Sequence, residues 1–260
     1  MTGKSAAFFD VDNTLMRGAS MYHLARGMAK RGFFSAKQLR NFARRQLRYM
    51  ASGKEYAKDL KFVTDATMEF VAGRKVSEIL TIGDAIIDDI LLNKLWPGTL
   101  RMAQAHTSSG QEVWLVTASP NELADKLAKR VGLTGGIGTR AEEIDGVYTG
   151  KLNGAPLHGQ AKADAVVALA AERGIDLKNS VAYSDSYNDL PLLSVVGLAI
   201  PVNPDRALRR HARRNGWPIV EFRRSRFWVD SPSPASPTVA AGAGIAAGLA
   251  ALALGRNREK

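Results

Sequence analysis

Short apolar runs alternate along much of the chain with longer segments whose apolar positions recur at helical spacing. Such runs predict buried strands at residues 6–11, 112–116 and 181–183, with 197–201 and 218–222 as candidate fourth and fifth strands. Helical patterns lie between them, notably over 121–131 and 161–173. This alternation predicts an α/β fold, a doubly wound Rossmann-like parallel sheet with its site at the carboxyl ends of the strands.

One long segment interrupts the alternation. Residues 16–95 carry several helical patterns and no convincing strand, which predicts an all-α insertion, or cap, between core segments 1–15 and 96–230. Residues 145–152 place turn residues beside an alternating run, which predicts a small hairpin. The glycine-rich stretch 135–139 lacks the lysine and spacing of a phosphate-binding loop, so a turn before a short strand is the better interpretation.

Composition narrows the possible chemistry. The chain of 260 residues has no cysteine, which removes disulfides, zinc-thiolate sites and thiol nucleophiles and favours a cytoplasmic protein. Its net charge of +11 is concentrated in two stretches, with nine basic residues in 26–54 and eight arginines in 206–226. Both stretches fit solvated helix faces; an anionic membrane surface is an alternative partner, and nucleic acid is a weaker one because no readout motif accompanies them.

The C-terminal residues 231–260 differ from the rest. A Pro/Ser-rich linker precedes an uncharged Ala/Gly-rich run of 17 residues, 238–254. That length is at the short limit for a membrane-spanning helix, and its few strongly apolar residues make insertion weak. Two interpretations stay open: a weak anchor at the inner face of the membrane, and a disordered or surface-lying tail.

Polar side chains stand at the ends of the predicted strands and at the start of one helix. They are Asp10 and Asp12, Thr117, Lys162, and Asp185 with Asp189. In a parallel sheet these positions converge on one edge. Carboxylates with one lysine and one threonine, without cysteine, suit Mg²⁺ and a phosphoryl group. Asn188, between the last two acids, fits either a contact to phosphate or metal-bound water or a helix cap. The four histidines lack metal-ligand spacing and are interpreted as structural or surface residues.

The order and wording of these motifs resemble the haloacid dehalogenase superfamily of aspartate-nucleophile phosphotransferases. The motifs read DVDNT, VTAS, AK and SDSYND, and the resemblance covers roughly residues 6–222. The helical insertion directly after the first motif is similar to subfamily IB, the phosphoserine-phosphatase-like group. The Ala/Gly-rich tail is similar to that of actinobacterial members of this group.

This resemblance implies a Mg²⁺-dependent phosphomonoester hydrolase and a role for each motif residue. Asp10 would form an aspartyl-phosphate, and Asp12 would act as general acid and base. Thr117 and Lys162 would bind the phosphoryl oxygens. Asp10, the Asp12 carbonyl and Asp185 would hold the metal. Asp189 would orient Lys162 or a metal-bound water. The alternative is a membrane-surface or nucleic-acid adaptor with weak catalysis or none.

The resemblance also assigns substrate selection to the cap. Phosphoserine phosphatases carry a glutamate nine residues after the nucleophile, which meets the substrate ammonium; here Ala19 stands at that position. Phosphoserine is therefore expected to be a poor substrate. A small phosphomonoester with a further anionic group, or one at a membrane, fits the basic cap better.

Overall fold

The computed structural model describes residues 4–33, 40, 64, 65, 67–222 and 228–230. The chain divides into two compact units. The first unit comprises Met1–Ala19, Lys94–Gly138 and Leu157–Lys260, and the second comprises Ser20–Asn93 and Thr139–Pro156.

Strands and helices alternate through the described part of the first unit. The strands of the whole described chain are β1 (Ala6–Asp10), β2 (Glu112–Pro120), β3 (Gly135–Thr139), β4 (Ala141–Ile144), β5 (Val147–Leu152), β6 (Val181–Ser184), β7 (Leu198–Pro201), β8 (Ile219–Glu221) and β9 (Trp228–Asp230). The α-helices described at both ends are α1 (Ser20–Lys30), α2 (Val76–Ile86), α3 (Pro97–Ser108), α4 (Asn121–Arg130), α5 (Gln160–Arg173), α6 (Leu190–Ser194) and α7 (Arg206–Arg214).

The first unit is built on a five-stranded sheet with the order β3-β2-β1-β6-β7. β1 pairs in parallel with both β2 and β6, and β6 pairs in parallel with β7. Every residue of β1 and β6 is buried, which explains why these strands read as continuous apolar runs. The α/β fold with a parallel central sheet is therefore confirmed.

The edge strand β3 differs from the sequence prediction, which placed a turn at residues 135–139. Glycines are uncommon in strands, so the sequence argued against one here. The structure shows why glycine is needed: a Cβ added at Gly136 would lie 2.3 Å from the carbonyl carbon of Ala124, in α4. The missing side chain lets this strand run closely against the helix.

The predicted fifth strand also has a different place. β8 does not join the parallel sheet; it pairs antiparallel with β9, from Ile219↔Asp230 to Glu221↔Trp228. It meets the segment just after β7 at the parallel bridge Val202↔Val220, where the Asn203 N–H donates to the Val220 carbonyl at 2.8 Å. β7 ends at Pro201, which has no N–H to donate, and this limits any ladder along that edge.

The second unit contains helices and one hairpin. In α1, a Cβ at Gly27 would lie 2.7 Å from the Ile86 side chain of α2, so the glycine permits close packing of the two helices. β4 and β5 form an antiparallel hairpin whose loop residues Asp145 and Gly146 have φ of 51° and 75°. Positive φ at both positions is typical of a type I′ turn, and the predicted hairpin is confirmed.

The division into units differs from the predicted one. The prediction assigned 139–156 to the core, whereas the structure groups these residues with the helices. The reason is main-chain pairing: the Gly73 N–H donates to the Tyr148 carbonyl at 2.8 Å, and the Tyr148 N–H donates to the Arg74 carbonyl at 3.0 Å. The first segment of the second unit is Ser20–Asn93, rather than 16–95.

Two predicted features fall largely outside the described residues. The Ala/Gly-rich run 238–254 lies there entirely, as does most of the basic stretch 26–54; of the latter, Arg26 and Lys30 are exposed on α1. Within the described part of the chain, every helix is too short or too polar to cross a bilayer.

Candidate active site

Three neighbouring strands end at the same edge of the parallel sheet. Asp10, the last residue of β1, stands opposite Val116 of β2, so Thr117 follows one residue further. On the other side Phe9 stands opposite Tyr183, and Ser184 is the next residue along β6. The carboxyl ends of β1, β2 and β6 thus bring the first, second and fourth motifs to one edge.

A buried chain of charged and polar groups joins three of the motifs. The Lys162 Nζ, in the first turn of α5, donates to Asp10 Oδ1 at 2.6 Å and to Asp189 Oδ2 at 2.8 Å. The Ser184 hydroxyl donates to the same Asp189 oxygen, also at 2.8 Å. Residue exposures of 4% for Asp10, 3% for Lys162 and 2% for Asp189 show that water screens this cluster little.

Burial and the neighbouring charges together shift the pKa values of Asp10 and Lys162. Burial raises the pKa of Asp10 to about 7; the Lys162 ammonium opposes this rise, while the charges of Asp189 and Asp12 add to it. Burial alone would lower the pKa of Lys162, but the two carboxylates raise it above its usual value. Lys162 is therefore a permanent cation held between two acids.

Asp12 lies in a tight loop directly after β1. The Leu15 and Met16 N–H groups both donate to the Val11 carbonyl at 3.0 Å. Asn13, with φ of 58°, accepts the Gly18 N–H on its side-chain oxygen at 3.1 Å. These bonds fix the backbone on both sides of Asp12, whose side chain is half-buried.

Thr117 continues β2 beyond the pairing with Asp10. It is buried, and its hydroxyl oxygen accepts the Ser119 N–H at 3.2 Å. A hydroxyl that accepts this bond retains its own proton, which it can donate to a phosphoryl oxygen.

The fourth motif forms a loop and one 3₁₀ turn, Tyr187–Asp189. Ser186 caps this turn by accepting the Asn188 N–H at 3.2 Å. Asp185 is half-buried, whereas Asn188 is exposed. Asn188 thus takes part in a capped turn through its backbone N–H. A contact from its side chain to phosphate or metal-bound water stays a prediction.

Sequence reasoning missed two groups at this site. Ser184 holds Asp189, but a serine that ends an apolar run gives no signal of that contact. His158, interpreted as structural, lies close enough to the charged cluster to be influenced by it. Burial and then the Lys162 charge lower the pKa of His158, and Asp189 opposes this. Its position just before the start of α5, four residues ahead of Lys162, was the available signal.

The donor set fits a hard cation. Asp10, the Asp12 carbonyl and Asp185 offer only oxygen, which is the ligand type that Mg²⁺ prefers. Among the described residues, no group of three or more acidic or histidine side chains is arranged to hold a metal. The predicted set differs from such a group, because it contains two side-chain carboxylates and one backbone oxygen.

Comparison with known proteins places this site in a family. Residues 7–194 match the family model described as haloacid dehalogenase-like hydrolase. Phosphoserine phosphatase SerB1 of Mycobacterium tuberculosis is 45% identical over 246 residues, which cover 95% of this chain and 80% of that protein. Histidinol-phosphatase of Neisseria meningitidis is 28% identical over 231 residues, covering 85% of this chain and 100% of that protein.

A solved structure shares the fold. A protein of unknown function from Bordetella pertussis superposes with a TM-score of 0.74 at 27% identity, covering 84% of this chain and 98% of that one. The family model spans the strand-end acids, the lysine and the paired-acid motif described above. The chain therefore belongs to the haloacid dehalogenase-like hydrolase family, and it is a phosphatase of that family.

Proposed function

We propose that the chain hydrolyses a small phosphomonoester through an aspartyl-phosphate on Asp10, with Mg²⁺ bound. The observation that carries this proposal is the buried Asp10 carboxylate at the end of the central strand. Lys162 holds Oδ1 of this carboxylate at 2.6 Å, which leaves Oδ2 for attack on phosphorus. Covalent catalysis of this kind divides a difficult hydrolysis into two displacements.

The neighbouring side chains have separate tasks in this proposal. Asp12 protonates the leaving oxygen in the first displacement and accepts a proton from water in the second. Lys162 and the Thr117 hydroxyl stabilise charge on the phosphoryl oxygens as it is transferred. Asp189 and Ser184 orient Lys162, since their hydrogen bonds fix the ammonium against Asp10.

Mg²⁺ would be held by Asp10, the Asp12 carbonyl and Asp185. Bound there, it supplies positive charge that offsets the repulsion between the carboxylate nucleophile and the anionic phosphate. The raised pKa of Asp10 supports a cation requirement, because added positive charge favours the ionised carboxylate that the reaction needs.

Hydrolysis of p-nitrophenyl phosphate with and without Mg²⁺ tests the reaction. Activity should require the metal and should be lost in Asp10→Asn, which has the same shape but no nucleophilic charge. A radiolabelled phosphoryl group should be trapped on the wild-type chain after acid quench. Turnover by Asp10→Asn at the wild-type rate would exclude this mechanism.

The substrate requires a separate experiment. The name of one relative indicates phosphoserine and that of another histidinol phosphate, whereas Ala19 supplies no charge for a substrate ammonium. We therefore propose a substrate recognised without an acid at that position, and kcat/KM for phosphoserine should fall below that of phosphomonoesters lacking an ammonium group. A panel that ranks phosphoserine first would overturn this and favour amino-acid metabolism.

A second proposed role is attachment of this cytoplasmic enzyme to an anionic surface. α7 exposes Arg206, Arg210, Arg213 and Arg214, which are spaced to lie on one helix face. Sedimentation with phosphatidylglycerol vesicles, compared with a chain truncated after Asp230, tests this role. If both proteins bind the vesicles and are released by salt, the arginine face is the binding surface. If the full chain is released only by detergent and the truncated chain does not bind, the tail is the anchor. Absence of binding at low salt would contradict both.

A further inference from the structure

The loop that carries Asp185 is joined to the segment after β7 by three hydrogen bonds, two between main-chain groups and one to a side chain. The Val202 N–H donates to the Ser184 carbonyl at 2.9 Å. The Asp205 N–H donates to the Asp185 carbonyl at 2.7 Å. The Tyr187 N–H donates to Asp205 Oδ2 at 2.8 Å. Asp205 therefore binds the loop on both sides of Ser186.

Asp205 is itself fixed by α7. As the N-cap of that helix, with φ −62° and ψ 170°, it accepts the Leu208 N–H on Oδ1 at 2.8 Å. Each carboxylate oxygen thus accepts an N–H from a different element. A carboxylate at the start of a helix is also favoured by the helix dipole, so the charge is stable at this position.

We propose that Asp205 is a positioning residue that holds Asp185 in the orientation needed to bind Mg²⁺. This inference rests on the proposed function, in which Asp185 is a metal ligand. A carboxylate gives each of the two N–H groups an oxygen of its own. In Asn the second oxygen is replaced by NH₂, which would face the Tyr187 N–H as donor against donor, and Ser has a single oxygen. Both replacements are still good N-caps for α7.

The test measures Mg²⁺ binding by calorimetry on the full chain without substrate. Asp205→Asn and Asp205→Ser should keep the circular dichroism spectrum and unfolding midpoint near wild type, because the cap is retained. Their dissociation constant for Mg²⁺ should rise by about 10- to 100-fold, the usual effect of losing a group that orients a metal ligand.

The matched control is Asp176→Asn. Asp176 caps the 3₁₀ helix Leu177–Asn179 by accepting the Lys178 N–H at 2.9 Å, and its other oxygen accepts the Asn179 side-chain amide at 2.7 Å. It therefore also uses both oxygens in the same unit, but none of its bonds reaches residues 185–189. Its Mg²⁺ affinity should equal that of wild type. Equal weakening in Asp176→Asn and Asp205→Asn would overturn the proposal.

Amide hydrogen exchange in metal-free protein gives a second readout. The Tyr187 amide should exchange faster in both Asp205 variants than in wild type and the Asp176 control. Wild-type Mg²⁺ affinity in the Asp205 variants would overturn the inference, whatever the rate of Tyr187 exchange. A wild-type chain that binds no Mg²⁺ and hydrolyses no phosphomonoester would instead refute the proposed function, and the exchange rates would still show whether Asp205 holds the loop.

Discussion

Replacing Lys162 with Met should destabilise the first unit strongly, because it leaves two buried carboxylates without their cation. The Lys162–Asp10 and Lys162–Asp189 pairs measure 2.6 and 2.8 Å, with side-chain exposures of 4%, 6% and 3% for Lys162, Asp10 and Asp189. Removing one partner of such a buried pair costs about 3–5 kcal/mol. The unfolding equilibrium should therefore shift by roughly two to three and a half orders of magnitude.

An exposed pair of the same length provides the control. Lys129 contacts Asp125 at 2.6 Å on α4, but the two side chains are 65% and 34% exposed. Lys129→Met should cost at most about 0.5 kcal/mol, since water already screens that pair. Because the N···O distance is 2.6 Å in both pairs, a difference between the two lysine variants in the free energy of unfolding reports the effect of burial.

Urea unfolding followed by circular dichroism, with EDTA present, gives both free energies without a contribution from metal. The double variant Asp10→Asn/Lys162→Met should be more stable than Lys162→Met alone, because one of the unpaired charges is gone. A Lys162→Met protein as stable as the Lys129→Met protein would refute the electrostatic reasoning.

Three further predictions concern separate parts of the first unit. Asp12→Asn should reduce turnover of an alkyl phosphate more than that of p-nitrophenyl phosphate, because poor leaving groups need the acid most; equal losses would show a structural role. Gly136→Ala should lower the free energy of unfolding by about 1–3 kcal/mol, since the new Cβ would collide with Ala124 in α4, and an unchanged urea midpoint would contradict that packing. Burial lowers the pKa of His106, which contacts Gln111 at 2.5 Å and the Tyr183 hydroxyl at 2.7 Å. The folded state therefore binds fewer protons than the unfolded state, and stability should fall as the pH drops below about 6.5. Urea midpoints should show a smaller pH slope in His106→Gln, and equal slopes would contradict this.

The sequence predicted the strand-end acids because one physical rule governs them. Parallel strands buried on both faces read as apolar runs, so the polar residues that follow each run mark the edge of the sheet. Asp10 and Asp185 follow from this rule, and Lys162 follows from its place at the start of the helix before β6.

Other features depend on contacts that no local pattern contains. The glycines of β3 disfavour a strand unless α4 is known to lie against them. The hairpin β4–β5 is recognisable from Asp145 and Gly146, but its place in the second unit depends on pairing with residues 73–76. Asp205 is recognisable as a helix cap from its position before Arg206, whereas the bond of its second oxygen reaches Tyr187, 18 residues away.

The charge balance of the buried cluster links the fold to the proposed chemistry. Two acids, Asp10 and Asp189, share the single buried ammonium of Lys162, so acidic groups are in excess where water screens poorly. Burial raises the pKa of Asp10 even though an ammonium lies 2.6 Å away, and the neighbouring Asp189 adds to this rise. Such an excess of buried acids lowers the stability of the fold. Its presence therefore indicates a functional site rather than a stabilising one. The same excess favours a bound cation, and through it the ionised carboxylate that attack on phosphorus requires.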